Sequence, residues 1–133
     1  MPEWYEKTLS LAKTLYETLS HDDIFHPIDN CVVLVKEVGK PPELRVIRND
    51  ADVFHDIVGG CFDIGYPFSL SHIRGICEDC AMWHLPFNFH GHHQPWHGTV
   101  IFIGHSTPYD PDLRSLTFDE VRLILAIFLN LGV

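Results

Sequence analysis

Residues 77–105, C-E-D-C-A-M-W-H-L-P-F-N-F-H-G-H-H-Q-P-W-H-G-T-V-I-F-I-G-H, limit the possible folds more than any other stretch. They hold two of the four cysteines and six of the ten histidines. They also carry two strand-like runs separated by a polar turn. From 81 to 89 the side chains alternate, with Ala81, Trp83, Leu85, Phe87 and Phe89 on one face and Met82, His84, Pro86 and Asn88 on the other. Residues 91–98 form a polar connection interrupted by Pro95, and 99–103 return as a strand apolar on both faces. The pattern predicts a pair of strands, 81–89 and a returning 99–103, joined by that polar connection.

The remainder supplies helices and a second hairpin. Residues 3–19 place Trp4, Thr8, Leu11, Ala12, Leu15 and Leu19 at three- and four-residue steps, as in an amphipathic helix. Residues 31–35 (C-V-V-L-V) read as a strand covered on both faces, and 44–48 return as its partner. Pro41 and Pro42 mark the turn between them, because proline donates no ladder hydrogen bond. Residues 51–58 predict a short helix with Asp50 as N-cap and Gly59-Gly60 as its stop. Residues 61–70 read as a structured loop. Residues 71–76 read as one helical turn or the approach to a strand, and 104–111 as a loop.

The closing helix is the best-signalled element. In Thr117-Phe118-Asp119-Glu120 the Thr and Glu side chains form a capping box, with Leu116 and Val121 placed as a hydrophobic staple. The helix runs from 121 to 131 and stops at Gly132. Residues 123–129 are apolar almost all round, so one face meets the core and the other calls for a second partner.

A chain of 133 residues, 46% hydrophobic, builds a core of one domain without disulfide or metal staples. Nine Lys and Arg against eighteen Asp and Glu give a net charge of −9, which disfavours nucleic acid and anionic membranes as partners. The N-terminus lacks a signal-peptide pattern, so the expected location is cytoplasmic, with cysteines present as thiols or metal ligands.

The late strand pair "AMWHLPF…GTVIFIG" and the closing "LTFDEVRLILAIFLNL" resemble a GAF domain, a small-molecule sensor fold related to PAS. The resemblance implies a single α+β domain over 1–133, with a central antiparallel β-sheet and the N- and C-terminal helices packed on one face. It implies a small-molecule pocket on the other face, roofed by 49–76, and a homodimer formed through the terminal helices. The cyclic-nucleotide pattern Asn-Lys-x-x-Phe-x-x-x-Asp-Glu and the bilin-binding Cys-His dipeptide of that family are both missing from the sequence.

Against that scaffold, Phe54, Phe62, Tyr66, Phe68 and Trp96 are the candidate apolar walls of a ligand pocket, with His84 as a polar group orienting the ligand. Residues of these types are more often ordinary core than pocket lining. Cys77-x-x-Cys80 is half of many zinc sites, and His84, His90 and His92 are candidate additional ligands, for zinc or iron. The competing reading makes residues 90–97 an exposed hairpin tip. A redox role for the cysteine pair is disfavoured because Glu78 and Asp79 raise the thiol pKa values. The expected function is a sensory or regulatory ligand-binding domain. The alternatives are a metal- or thiol-dependent enzyme on the same scaffold and a structural dimerisation module.

Overall fold

The computed structural model describes residues 1–106 and 112–133. The chain runs α1 (Glu3–Tyr16), α2 (His21–Phe25), β1 (Asn30–Lys36), β2 (Glu43–Arg48), α3 (Ala51–Val58), β3 (Phe62–Gly65), β4 (Ile73–Glu78), α4 (Ala81–His84), β5 (Phe87–His90), β6 (Pro95–His97), β7 (Val100–His105), β8 (Leu113–Arg114) and α5 (Phe118–Asn130). The expected loop at 104–111 falls partly in β7, and residues 107–111 lie outside the described residues.

The main sheet has the order β2-β1-β7-β4-β3, with β8 paired to the far end of β7. All its pairings are antiparallel. The architecture is mixed α+β. No helix among the described residues is long and apolar enough to cross a membrane.

Side-chain alternation divides the core in two. Leu34, Ile73, Val100 and Phe102 point to the face covered by α1 and α5, where they meet Ala12, Val121, Ile124, Leu125 and Phe128. Cys31, Val33, Val35, Ile76, Ile101 and Ile103 point to the opposite face, where Phe54 and Val58 of α3 cover them. The double-sided apolar character of β1 and β7 follows from this arrangement.

α5 forms as its sequence signals require. The Thr117 hydroxyl accepts the Glu120 N–H, and the Glu120 carboxylate accepts the Thr117 N–H. Leu116 and Val121 are fully buried beside the cap. Arg114 donates from both Nη atoms to the two Glu120 carboxylate oxygens, at 2.8 and 3.1 Å, so the cap is also half of a buried ion pair. α3 likewise starts at Asp50, whose side chain accepts the Asp52 N–H, and ends at Gly59, whose φ of 90° suits glycine.

Three sequence expectations need correction. The stretch 81–89 is not a central strand. Ala81–His84 is a helical turn closed by Leu85 N–H to Ala81 C=O at 2.8 Å, and Phe87–His90 pairs with Pro95–His97 in a separate two-stranded sheet. Ala81 and Leu85 stand four apart, so a period of two and a helical turn fit the same residues. The central place beside β7 belongs instead to β4, whose glycine and arginine weaken its sequence signal. Gly75 is needed there: a Cβ would lie 2.5 Å from Pro67 Cγ.

The loop expected at 61–70 contains edge strand β3. The helix expected over 3–19 ends at Tyr16, and a second capping box, Ser20 with Asp23, starts α2. The inward stripe of α1 holds the expected Trp4, Thr8 and Ala12 and adds Tyr5, Leu9 and Tyr16, while Leu11 is 54% exposed.

The β5–β6 hairpin folds back over the α1/α5 face of the sheet. Phe89 and Trp96 stack on each other and join the core around Phe102 and Phe128. Asn88 fastens it: its Nδ2 donates to the carbonyls of Lys36 and Gly98, and its Oδ1 accepts from the buried Lys36 Nζ at 2.8 Å. Burial lowers the Lys36 pKa, and its ammonium also lies 5.8 Å from the Phe128 ring centre.

Candidate functional site

Strand β4 ends in Cys77 and Glu78, and its register with β3 determines which way each points. Asp63 lies opposite Cys77, and Phe62 opposite Glu78. Cys77 and Asp63 therefore share the face that carries Trp96, while Glu78 shares the α3 face with Phe62. The chain then turns sharply through Asp79 and Cys80 into α4. Three backbone-directed bonds hold the turn. Asp79 N–H donates to Cys61 C=O at 2.9 Å, Cys80 N–H donates to Glu78 Oε1 at 3.0 Å, and Trp83 N–H donates to Cys80 C=O at 2.9 Å.

Glu78 Oε2 hydrogen-bonds His84 Nε2. The Glu78 side chain is only 10% exposed, whereas that of His84 is 56% exposed. Ligand atoms of Glu78, Asp79 and Cys80 all lie within 4.8 Å of one another. On the Cys77 side of the same turn, a cleft of about 210 Å³ opens between the β3–β4 edge and β6. Asp63, Gly65, Cys77, Asp79, Met82 and Trp96 are among its walls.

The electrostatics of the corner are one-sided. Burial, reinforced by Asp63, Glu78 and Asp79, pushes the Cys77 thiol up to about 11. Asp79, by its charge and its hydrogen bond, raises the Cys80 thiol, and Cys61 adds to the effect. The Cys80 N–H and then His84 hold the Glu78 carboxyl below the ordinary carboxylate value, against the opposing effect of desolvation. Among the described residues, no Lys or Arg lines the cleft. A cation placed here relieves the repulsion and lowers the thiol pKa values, which is the coupling expected between metal binding and proton release.

The expected metal set, Cys77, Cys80, His84, His90 and His92, is not gathered at one point. Cys80 joins Glu78 and Asp79, and His84 reaches the group through Glu78. Cys77 turns to the other side of the strand, against the core that holds Phe89 and Trp96. His90 packs on Phe87 and His92 on His93, both exposed on the hairpin. Glu78 and Asp79 are the donors that the sequence reading missed. They are the two residues between the cysteines, so the signal lay in the C-E-D-C tetrapeptide itself.

The aromatic candidates are likewise divided. Phe54 meets Phe62 edge to face at 5.7 Å on the α3 side, and both belong to the packing between α3 and the sheet. Phe68 stacks on Phe102 at 5.7 Å on the opposite side. Tyr66 lies beneath the Arg74 guanidinium, 4.1 Å from ring centre to Cζ. Of the six ligand-binding candidates, Trp96 lines the cleft and His84 stands at its corner.

Comparison of the chain with protein-family models, with curated proteins and with solved structures finds no match to any of them.

Proposed function

We propose that the chain is a ligand-binding regulatory domain of GAF-like build, whose ligand is a divalent cation held at the Glu78–His84 turn. The carrying observation is the approach of Glu78, Asp79 and Cys80 ligand atoms to within 4.8 Å, with His84 already bonded to Glu78. Carboxylate, thiolate and imidazole together suit zinc better than the all-oxygen ions magnesium or calcium. Cys61, whose carbonyl accepts the Asp79 N–H, brings a second exposed thiol to the same turn. A cytoplasmic, reducing location keeps these thiols available as ligands.

The cleft beside the turn leaves room for a small molecule next to the ion. The α+β scaffold, with an antiparallel sheet and α1 and α5 on one face, supports the GAF-like reading. Nucleophilic chemistry at Cys77 or Cys80 is disfavoured, because their acidic surroundings keep both as thiols near neutral pH.

The test is metal analysis and zinc titration of untagged protein against a chromophoric chelator. One zinc per chain is expected, lost in Glu78→Gln and Cys80→Ser and kept in His92→Ala. A protein that takes up no zinc, or loses it only when His90 and His92 are changed, overturns the reading.

A further inference from the structure

The edge of the sheet opposite the cleft carries a second surface, independent of the proposed metal site. Strand β2 bonds to β1 on one side and has no neighbouring strand on the other among the described residues. Beside it runs the flank of α1 that the core leaves uncovered. Leu11 is 54% exposed and Val46 of β2 is 52% exposed. The register pairs Val46 with Val32 and Leu44 with Leu34, so both β2 residues face the α1 side.

Two shallow grooves follow this edge. Lys7, Thr8 and Leu11 meet Glu43, Leu44 and Arg45 in the first, and Leu15 and Leu19 meet Val46 in the second. α1 and β2 therefore run in the same direction along the edge. The charge changes along it too. The first groove is lined by Lys7, Lys40 and Arg45 against Glu37 and Glu43; Lys40 and Arg45 pair with those carboxylates, so Lys7 is its surplus charge. The second is lined by Asp22, Asp23 and Asp29, with no Lys or Arg among the described residues.

A second copy related by a two-fold axis perpendicular to the sheet runs antiparallel, so the Lys7 end of each edge meets the acidic end of the other. That is the self-complementarity an isologous interface requires. We infer that this edge is a homodimer interface in which β2 pairs antiparallel with β2 of a second copy, joining the two sheets.

Side-chain parity limits the register. In a continuous antiparallel sheet, opposite residues point to the same face, so one residue of β2 lies opposite its own copy, with the axis midway between the two. Centring on Arg45 sets two guanidinium groups against each other, and centring on Leu44 draws Pro42 into the ladder, where it has no N–H to give. Centring on Val46 avoids both and covers the most exposed apolar residue of the strand. Leu11 and Leu15 of the two α1 helices then stand on the same side of the joined sheet. Arg45 and Glu43, charges that would otherwise protect an edge, are neutralised by their own contact at 2.7 Å.

The experiment is sedimentation velocity on the full untagged chain. Wild type is expected to be a dimer that weakens with added salt, and Val46→Lys and Leu11→Arg are expected to be monomers with unchanged circular dichroism. Leu123→Arg, on the exposed part of α5, is expected to remain dimeric. In a Cys61→Ser, Cys80→Ser background, Val46→Cys is expected to form a disulfide-linked dimer on mild oxidation. A monomeric wild type at the highest attainable concentration overturns the inference. So does a dimer that survives Val46→Lys, or one abolished by Leu123→Arg.

Discussion

Glu120 and Glu78 are both carboxylates that accept a backbone N–H at the start of a helical turn and bond a basic side chain, but their surroundings differ. Glu120 caps Thr117 and grips Arg114, whose side chain is 5% exposed. Every oxygen there is directed at the chain's own donors, and the pair lies between α5 and the end of the sheet. Glu78 accepts the Cys80 N–H and bonds His84, whose ring is more than half exposed. Beside it stand the exposed Asp79 carboxylate and the exposed Cys80 thiol. The same polar motif is thus enclosed between α5 and the sheet at one corner and, at the other, lies beside an exposed carboxylate and an exposed thiol.

Removing Arg114 gives the largest expected effect. Arg114→Ala strands the Glu120 carboxylate in a mostly buried setting and takes away the packing over Phe25. Loss of one partner of a buried pair costs about 3–5 kcal/mol, read as a lower urea midpoint. If the midpoint stays in place, the Arg114–Glu120 corner is no firmer than the Glu78 corner and the contrast fails.

Asn88 comes next, because it fastens the hairpin beside the cleft. Asn88→Ala removes one acceptor of the buried Lys36 ammonium, leaving the Glu37 carbonyl, and the donor to two carbonyls. A cost of about 1–3 kcal/mol is expected, with a matching loss of hydrogen-exchange protection in β5 and β6. An unchanged stability would mean that Phe89 and Trp96 alone hold the hairpin down.

Glu78→Gln belongs at the other end of the scale. It should leave the urea midpoint almost unmoved while abolishing zinc uptake, the reverse of Arg114→Ala. A Glu78→Gln protein that unfolds readily would reclassify this corner as a structural one.

Sequence legibility follows the same division. The Thr117–Glu120 capping box, the Asp50 cap and Gly59 stop of α3, and the β1–β2 hairpin were all readable, because each depends on neighbours in sequence. The role of β4 was not readable. Its strand is defined by pairing with β3 and β7, and Gly75 is explained by Pro67 and Trp96, which arrive from elsewhere. The alternation over 81–89 misled because Ala81 and Leu85 also satisfy a helical turn, and Pro86 then ends it. At the candidate site, composition singled out Cys80 and His84 as candidates, and the structure places both at the turn. Their separation from Cys77 was not, because it depends on which side of the β3–β4 register each residue falls. The bonds of Asn88 to Lys36 link residues 52 positions apart and leave no local trace.

The smallest expected effect is a pH dependence that separates the thiols. Folding favours the protonated form of Cys77, so its contribution to stability is complete below the ordinary thiol value of 9.0. It is lost as the pH rises through about 11. Labelling of Cys77 by a thiol reagent should therefore keep accelerating beyond pH 9. A rate that levels off near pH 9 would show that the acidic corner does not act on this thiol.

The most direct test of the open corner is its optical spectrum with cobalt(II), a spectroscopic stand-in for zinc. The account predicts a thiolate-to-cobalt charge-transfer band and visible d–d bands that saturate at one ion per chain and vanish in Cys80→Ser. Absence of the charge-transfer band, or a band that persists unchanged in Cys80→Ser, would contradict it.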